Sequence, residues 1–304
     1  MTSPHVYKKE NDVELVDVIL RSKLGAEVSL LPDLALQIHI YEDIYSPCLK
    51  GEVIIGDGAN FIGHFPIIGQ EEIVITFKTP GVTDDYITHT FYVYKTTPRM
   101  SDETGPQRES YALYFASPEF IENSHIKCHK TYTGTATSIV ETIMKDNFPD
   151  TIVNLEESRN TMRLIAPYWS PFKCIDWLSR RAVTTTDSSN EANFLMYQTL
   201  SSQNGEYNFI SLSTLSSADS VEFYNHGVGD GQDINSIKNP LATLNRVITM
   251  DNEKYVDKLE NIQTGMFAST LFTHDITYKK FDNFSYSYDI EFSRVNNVND
   301  FPIM

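Results

Sequence analysis

The residues best suited to binding a metal ion lie in one short stretch of the form H-x-x-C-H. It contains His125, Cys128 and His129. Imidazole nitrogens and thiolates are the ligands that structural zinc sites use, usually four at a time. No second pair of His or Cys follows at a spacing typical of such sites. We interpret the stretch as a surface loop or strand that carries these residues incidentally, and we predict no metal site.

A glycine-rich stretch, G-x-G-D-G-x-D, runs from Gly227 to Asp233 and resembles part of a calcium-binding or phosphate-binding loop. A calcium loop needs a bidentate Glu at its last position, and a phosphate loop needs Gly-Lys-Ser/Thr at the start of a helix. Neither feature follows. We interpret the stretch as a turn, and we predict no cofactor.

Adjacent carboxylates occur in three pairs that could be considered for acid–base catalysis: Glu42-Asp43, Glu71-Glu72 and Glu156-Glu157. A general acid and base must converge from different elements, with their carboxyl groups about 5 to 9 Å apart. Neighbours on one strand point to opposite faces, so these pairs do not indicate catalysis. No G-x-S-x-G motif is present, and Trp169 and Trp177 are assigned to core or interface packing. We predict no catalytic residue and no enzymatic activity.

The chain is strongly acidic, with a formal net charge of -17 over 304 residues. This charge argues against a surface that binds nucleic-acid phosphates, because such a surface needs clustered Lys and Arg. One interpretation is a soluble surface that repels copies of itself. The other is a surface that must not bind nucleic acid passing nearby. The length and the 41% hydrophobic content allow two or three domains with a sizeable core.

The three cysteines, Cys48, Cys128 and Cys174, are widely spaced and odd in number. They do not form a disulfide framework, which favours synthesis in a reducing compartment. The segment Met1 to Lys9 has no apolar run typical of a secretory signal. No apolar run approaches the roughly 20 residues that span a bilayer, so we predict no membrane contact.

Apolar and polar side chains alternate along four successive stretches between Leu34 and Lys95. A period of two is typical of strands with one buried face. Turn signals such as Gly56-Asp57-Gly58 separate the stretches, and no helical pattern lies between them. The sequence therefore predicts an antiparallel meander. It should close into a barrel or pack on another sheet, because an open apolar face is unstable in water.

Two helical patterns follow, and they predict a small α/β module at residues 117–190. Thr135 is a suitable N-cap for the first helix, and Pro149 blocks its extension. Ser170 can cap the second helix, and Pro171 fits its first turn. We interpret this module as an insertion into the barrel.

Strand patterns return after the module. Asn204-Gly205 is the strongest part of a hairpin signal between residues 193 and 215. We assign residues 1–116 and 191–235 to a first barrel and residues 236–304 to a second. Glu42-x-Ile44 followed by Asp57 matches Glu260-x-Ile262 followed by Asp275, a faint repeat that is near chance and does not by itself establish duplication. The predicted fold is mainly β (α+β), with two antiparallel β-barrel domains and the inserted module.

Four blocks in the first predicted barrel resemble a known family: Tyr41-Glu42-Asp43-Ile44, Leu49-Lys50-Gly51, Ile55-Gly56-Asp57 and Pro66-Ile67-Ile68-Gly69-Gln70-Glu71. The shared pattern is an acidic residue near Ile, a strand with Gly, an Asp turn, and P-I-x-G-x-E before the next strand. It resembles the central baseplate hub proteins of contractile-tailed, T-even-like bacteriophages. Ser170 to Ala182 resembles the helix of the inserted module in that family. Further blocks resemble its second barrel: Leu259-Glu260-Asn261, Gly265-Met266-Phe267-Ala268-Ser269 and His274-Asp275-Ile276.

The resemblance implies two tail-tube-like β-barrels in each chain and a homotrimer of chains. Three chains with two similar barrels each present six similar units, so they can join a six-fold tail tube to a three-fold spike. The implied partners are the tail spike, the tail tube, other baseplate proteins and the tape-measure protein. DNA would pass through an acidic channel without specific binding. The implied location is the virion tail baseplate, after synthesis as a late protein and assembly in the host cytoplasm.

One departure concerns the second barrel, because the chain after Pro240 is short for a complete one. That barrel is expected to be reduced, or completed by earlier residues or a neighbouring chain. Alternative functions are the base of a contractile injection or type VI secretion-like spike, a cell-wall hydrolase, and a carbohydrate-binding β-domain. A fused C-terminal spike β-helix would favour the first alternative, and no such repeat occurs in this sequence.

Overall fold

The computed structural model of the protein describes residues 13–78, 86–101, 109–185, 193–200, 205–219, 225–226, 246–247, 257–294 and 302. They divide into two compact units. The first unit contains the described residues up to 185 and between 193 and 212. The second contains those from 213 onward.

An antiparallel sheet of eight strands forms most of the first unit and curls into a half-barrel. Its strands are β1 (Glu14–Arg21), β2 (Glu27–Ser29), β3 (Ala35–Tyr41), β4 (Lys50–Asp57), β5 (Glu72–Lys78), β6 (Ile87–Thr96), β7 (Met100–Ser101) and β8 (Glu109–Ala116). They are ordered β2-β1-β5-β6-β8-β4-β3, and β7 pairs with β8. The expectation of a mainly β fold is confirmed.

The predicted strands are present, but the predicted meander is wrong in its strand order. β4 does not pair with β5, because β8 lies between β4 and β6 and pairs with both. The connection after β4 is no tight hairpin, since it contains helix α1 (Phe61–His64) and a loop up to Glu71. A connection of that length lets the chain cross to another part of the sheet.

Alternating side chains form the core of this sheet, as the period of two predicts. Its fully buried members come from β1, β4, β5, β6 and β8: Val18, Leu20, Val53, Ile55, Ile73, Ile75, Phe91, Val93, Leu113 and Phe115. Burying one such side chain stabilises the fold by about 1.5 to 3 kcal/mol, so this layer is the main support of the curl.

A second core lies in the α/β module. Its elements are α2 (Pro118–His125), β9 (Thr131–Thr135), α3 (Ala136–Asn147), β10 (Ile152–Leu155), β11 (Thr161–Ile165) and α4 (Pro171–Ser179). Thr135 caps α3 as predicted, because its side chain accepts a hydrogen bond from the Ser138 N–H. Ser170 occupies the N-cap position of α4 with Pro171 after it, but its side chain makes no capping bond.

The next hairpin consists of β12 (Phe194–Thr199) and β13 (Glu206–Ser211). The sequence predicts it in the first barrel, whereas the structure pairs β13 in parallel with β10 of the module. Phe194 and Phe209 belong to the module core, which explains this placement. Gly205 has a positive φ of 76°, as a turn residue can, and the preceding turn residues 201–204 lie outside the described residues.

The second unit contains a shorter set of elements. They are α5 (Leu212–Ser217), β14 (Asn225–His226), β15 (Arg246–Val247), α6 (Lys258–Gln263), β16 (Ala268–Asp275), β17 (Lys280–Ser287), α7 (Tyr288–Glu291) and a 3-10 turn (Phe292–Arg294). Leu212 itself falls in the first unit. β16 and β17 pair as an antiparallel hairpin. The glycine-rich stretch 227–233 and much of the predicted second barrel lie outside the described residues.

Candidate functional site

The three residues of the H-x-x-C-H stretch do not converge. His125 ends α2 and is exposed, Cys128 is buried, and His129 is exposed. Cys128 lies on extended backbone in an isolated bridge with Trp169, so its neighbours point the other way. Within the described ranges, no group of three His, Cys, Asp or Glu side chains could hold a metal ion.

The paired carboxylates bind backbone N–H groups. Glu71 is 1% exposed, and its two oxygens accept hydrogen bonds from the N–H groups of Ile68, Gly69 and Gln70 at 2.8 to 3.1 Å. Glu156 accepts from the N–H and the hydroxyl of Ser211. These contacts satisfy loop and strand-end donors, which is a structural task.

Glu42 and Asp43 act in the same way. Glu42 accepts from the Leu200 N–H at 3.0 Å, and Asp43 accepts from the Tyr45 N–H at 2.9 Å. The two tryptophans pack partly buried against the module core. Lys173 lies over the Trp169 ring, and Arg181 lies 4.0 Å from the centre of the Trp177 ring.

Three residues of the four blocks defined above, Gly51, Asp57 and Glu71, stabilise the geometry of the sheet and of the connection between β4 and β5. A Cβ atom at Gly51 would overlap the carbonyl oxygen of His39 and the ring of Phe115, so this position requires close backbone approach. Asp57 is 3% exposed and accepts hydrogen bonds from N–H groups at the start of the crossing connection. Glu71 organises the end of that connection. The hub-like pattern therefore coincides with sites where the fold restricts the residue type.

An apolar groove of about 500 Å³ lies at the open side of the half-barrel. We define it by residues from the segments around β1, β3 and β5: Val13, Leu15, Leu31, Ala35, Leu36, Ile38, Ile40, Ile75 and Phe77. β3 is an edge strand, and the curl brings it opposite β1 and β5. Leu36 remains 58% exposed, so the groove presents both apolar surface and unpaired strand-edge groups.

A second apolar surface is the β16–β17 hairpin, in which every residue of β16 is exposed. On one face, Leu271 lies directly opposite Phe284. On the other face, the rings of Phe272 and Phe281 stack with their centres 5.9 Å apart. These four side chains are 58 to 64% exposed. A two-stranded hairpin alone is marginally stable in water, so apolar residues on both faces indicate that other surfaces cover it.

Within the first unit, a buried polar network joins the module to the sheet. Gln198 Oε1 accepts hydrogen bonds from the Leu49 N–H at 3.0 Å and from the Ser117 hydroxyl at 2.6 Å. His89 Nε2 lies 3.1 Å from the carbonyl oxygen of Leu200 and donates to it. Because these polar groups are satisfied only when both parts are in place, the network fixes the module on the sheet.

A second part of the junction contains three titratable groups. The Tyr207 hydroxyl donates to Glu119 Oε2 at 3.0 Å and lies 3.6 Å from Cys48 Sγ. Burial raises the pKa of Glu119 above its ordinary value, and it raises the pKa of the Cys48 thiol to about 12. In both groups burial disfavours the charged form, and the nearby Lys50 partly opposes the shift at Cys48.

Structural comparison relates the chain to tail proteins and to a VgrG complex. It matches the 43 kDa tail protein of prophage MuSo2 from Shewanella oneidensis at 12% identity and a TM-score of 0.42, over 64% of this chain and 54% of that one. It matches the tail protein from Neisseria meningitidis at 12% identity and a TM-score of 0.39, over 64% and 49%. The match to the Francisella PdpA-VgrG complex has 11% identity and a TM-score of 0.37, over 65% and 31%.

The chain thus spans about half the length of the two tail proteins that it matches. No protein-family model matches the chain, and no curated protein does. Among the helices of the described residues, none has the length and apolar character needed to cross a membrane.

The two apolar surfaces are candidate functional features that the sequence-based search for chemistry missed. Period-two alternation shows that β3, β16 and β17 are strands, but it does not show which faces stay uncovered. The available signal was the apolar content on both faces of the predicted strand from Phe267 to Tyr278, where Leu271 and Phe272 are adjacent. Because adjacent residues of a strand point to opposite faces, such a strand cannot bury all its apolar side chains in a single core on one side.

Proposed function

We propose that the chain is a non-enzymatic structural subunit of the central baseplate hub of a contractile phage tail. The observation that carries this proposal is that Gly51, Asp57 and Glu71, all from the hub-like blocks, are the residues that hold the curled sheet in shape. Local sequence resemblance and structural constraint therefore fall on the same positions. The described carboxylates and the H-x-x-C-H residues offer no competing catalytic arrangement.

The proposed architecture has two tube-like barrels in each chain. The first is centred on β1–β8 within residues 1–116, with 191–235 attached and its β12–β13 hairpin shared with the module at 117–190. The second, within residues 236–304, contributes the β16–β17 hairpin. A neighbouring chain completes this second barrel, because a single hairpin cannot bury apolar residues on both faces.

The proposed assembly is a homotrimer in which second copies cover the apolar groove and the hairpin. Three chains then present six similar barrels, which mate with the six-fold tail tube at one end and the three-fold spike at the other. Other baseplate proteins and the tape-measure protein are further proposed partners. The site of assembly is the host cytoplasm, and the final location is the tail of the virion.

The net charge of -17 supports a channel through which DNA passes without binding. Fixed carboxylates repel phosphates within a Debye length of about 8 Å at physiological salt. An acidic wall keeps DNA from adhering as it moves, whereas clustered Lys and Arg would hold it.

Electron microscopy of the purified full-length chain tests the proposal. We expect class averages of a three-fold ring with an open axial hole, and no release of fragments from peptidoglycan by the same preparation. Compact particles without a hole would overturn the hub assignment. Cleavage of peptidoglycan would favour a cell-wall hydrolase, and glycan binding by a monomer would favour a carbohydrate-binding domain.

A further inference from the structure

One face of α4 carries a row of alternating aromatic and cationic side chains. Trp169, Lys173, Trp177 and Arg181 follow one another at intervals of four residues, and we call these four side chains the α4 ladder. Residues four apart in a helix lie on the same face. Lys173 Nζ lies 5.1 Å from the centre of the Trp169 ring, and the Arg181 guanidinium lies 4.0 Å from the centre of the Trp177 ring. The row therefore extends from just before the helix to just after it.

The ladder faces solvent. The opposite side of α4 is buried in the module core, whereas Lys173 and Arg181 are exposed and the two tryptophans are only partly buried. Tyr168, just before the ladder, is 70% exposed and has a positive φ of 61°, which is a rare backbone conformation for a bulky residue. Exposed aromatic and Arg side chains are enriched at protein–protein interfaces. The composition of this surface is therefore that of a docking surface.

The two cations of the ladder are available to a partner. Within the part of the chain that the structure describes, no carboxylate lies in ion-pair contact with Lys173 or Arg181, whereas the adjacent Arg180 pairs with Asp176 at 3.0 Å. Arg181 Nη1 also donates to the carbonyl oxygen of Trp177 at 3.0 Å. A long side chain that already packs on a ring loses less conformational freedom when it meets a carboxylate. The ladder is therefore preorganised to bind negative charge.

The charge of the chain is distributed unevenly along the sequence. Residues 117–185 contain eight Lys or Arg and eight Asp or Glu, and within them residues 159–185 contain five Lys or Arg and a single Asp. The whole chain has 24 Lys or Arg and 41 Asp or Glu, so the entire net charge of -17 comes from residues outside 117–185. A second copy of the chain therefore carries the acidic groups that complement the ladder.

A nucleic acid is a less suitable occupant than a second copy. The helix that carries the ladder has nine residues and is about 13 Å long, which is short for tracking a phosphate backbone. The net charge of -17 also repels phosphates at long range, before the local cations can attract them.

We propose that the α4 ladder docks on an acidic surface of a second copy of this chain. The tryptophans supply apolar contact, and Lys173 and Arg181 pair with carboxylates from outside residues 117–185 of that copy. Exposed ion pairs add little affinity, but they select the orientation in which two surfaces meet. The ladder thus fixes the relative orientation of two copies. This inference rests on the self-association proposed above, and it does not depend on the number of copies or on the baseplate role.

Cross-linking of differently labelled chains tests this contact. A carbodiimide joins a lysine amine to a carboxylate in direct contact, and a mixture of unlabelled and isotopically labelled full-length chains identifies links between copies by mass. We expect Lys173 to form such links with Asp or Glu outside residues 117–185. Lys145 is the matched control, because it is an exposed lysine of the same module that pairs with Glu141 of its own helix. It should form far fewer links between copies.

Charge reversal supplies a second measurement. We expect Lys173→Glu combined with Arg181→Glu to raise the dissociation constant of self-association by about tenfold, because like charges then face each other. Lys145→Glu should change it little. Sedimentation velocity measures both variants, and an unchanged melting temperature shows that each retains its fold.

Three results would overturn the proposal in distinguishable ways. Links between copies that involve Lys173 no more often than Lys145 would overturn this docking site and leave the proposed assembly standing. A chain that forms no links between copies and stays monomeric would overturn both. Binding of a single-stranded DNA oligonucleotide that is lost in the double variant would overturn the proposal by assigning the ladder to nucleic acid.

Discussion

Gly51 lies in β4 where the sheet is most closely packed, between β3 and β8. We expect Gly51→Ala to lower the free energy of unfolding by about 2 to 4 kcal/mol, because the added methyl group overlaps the His39 carbonyl and the Phe115 ring. Gly56→Ala is the matched control in the same strand. Its methyl group would meet only the flexible Leu36 side chain, at 3.0 Å or more, and we expect a cost below about 1 kcal/mol. Urea denaturation of both variants measures the difference, and equal costs would contradict the packing described for Gly51.

Glu71 organises the loop before β5 through hydrogen bonds to three successive backbone N–H groups. We expect Glu71→Gln to lower the free energy of unfolding by about 2 kcal/mol, because the amide keeps one acceptor oxygen and loses the charge. Glu72→Gln is the control, since Glu72 contacts Tyr92 and Arg21 at a partly exposed position. Its cost should stay within about 1 kcal/mol. A larger loss for Glu72→Gln in denaturant titrations would show that the loop does not depend on Glu71.

Glu119 has a pKa that burial raises above the ordinary value of 4.5. The folded state therefore binds its proton more tightly than the unfolded state does. Stability from this group is fully present below about pH 4.5 and is lost as the pH rises through the raised pKa. We expect the wild-type chain to lose stability relative to Glu119→Gln over that rise. Denaturation of both proteins from about pH 4 to 8 measures the stability of the wild type relative to Glu119→Gln, and a relative stability that stays constant or rises with pH would contradict the burial of Glu119.

Elements with a local signal are predictable from the sequence, and long-range pairings are not. The alternation in β4, β5, β6 and β8 and the Thr135 cap need only neighbouring residues, and the structure has them all. The insertion of β8 between β4 and β6 depends on contacts between residues far apart in the chain. For the same reason, the sequence predicts the β12–β13 hairpin but not its pairing with β10.

At the candidate site too, the sequence predicts what depends on neighbouring residues and does not predict what depends on the fold. The sequence gives no indication that Glu71-Glu72 is a catalytic pair, because neighbours on a strand diverge. It does not show that Glu71 turns inward to bind the loop before it, since that depends on the three-dimensional course of residues 68–70.

The β16–β17 hairpin is the element that the proposed assembly would cover. We expect Phe272→Ser and Phe284→Ser, on opposite faces, each to raise the dissociation constant of the proposed assembly by about tenfold or more, because both rings are exposed in the single chain and would be buried at the proposed interface. Thr273→Ser in the same hairpin is the control and should change it little. Sedimentation velocity over a concentration series measures all three. Unchanged association in both Phe variants would show that the hairpin is not at the interface.

At the scale of the whole molecule, the curl of the sheet and the charge of the chain are the two features on which the proposed assembly depends. The half-barrel leaves an apolar groove at its open side, and the second unit carries an apolar hairpin. A chain with a net charge of -17 repels its own copies at long range, so the proposed assembly would depend on apolar contacts for its attraction. The acidity of the chain follows from its composition, whereas the exposed apolar groove and hairpin can be identified only in the structure.

The mass of the full-length chain in solution at physiological salt tests the central claim most directly. We expect sedimentation equilibrium to give three times the chain mass of 34.6 kDa, through obligate interfaces that bury roughly 2,000 Å² or more. A species that stays at 34.6 kDa up to the highest concentration reached would contradict assembly through the groove and the hairpin.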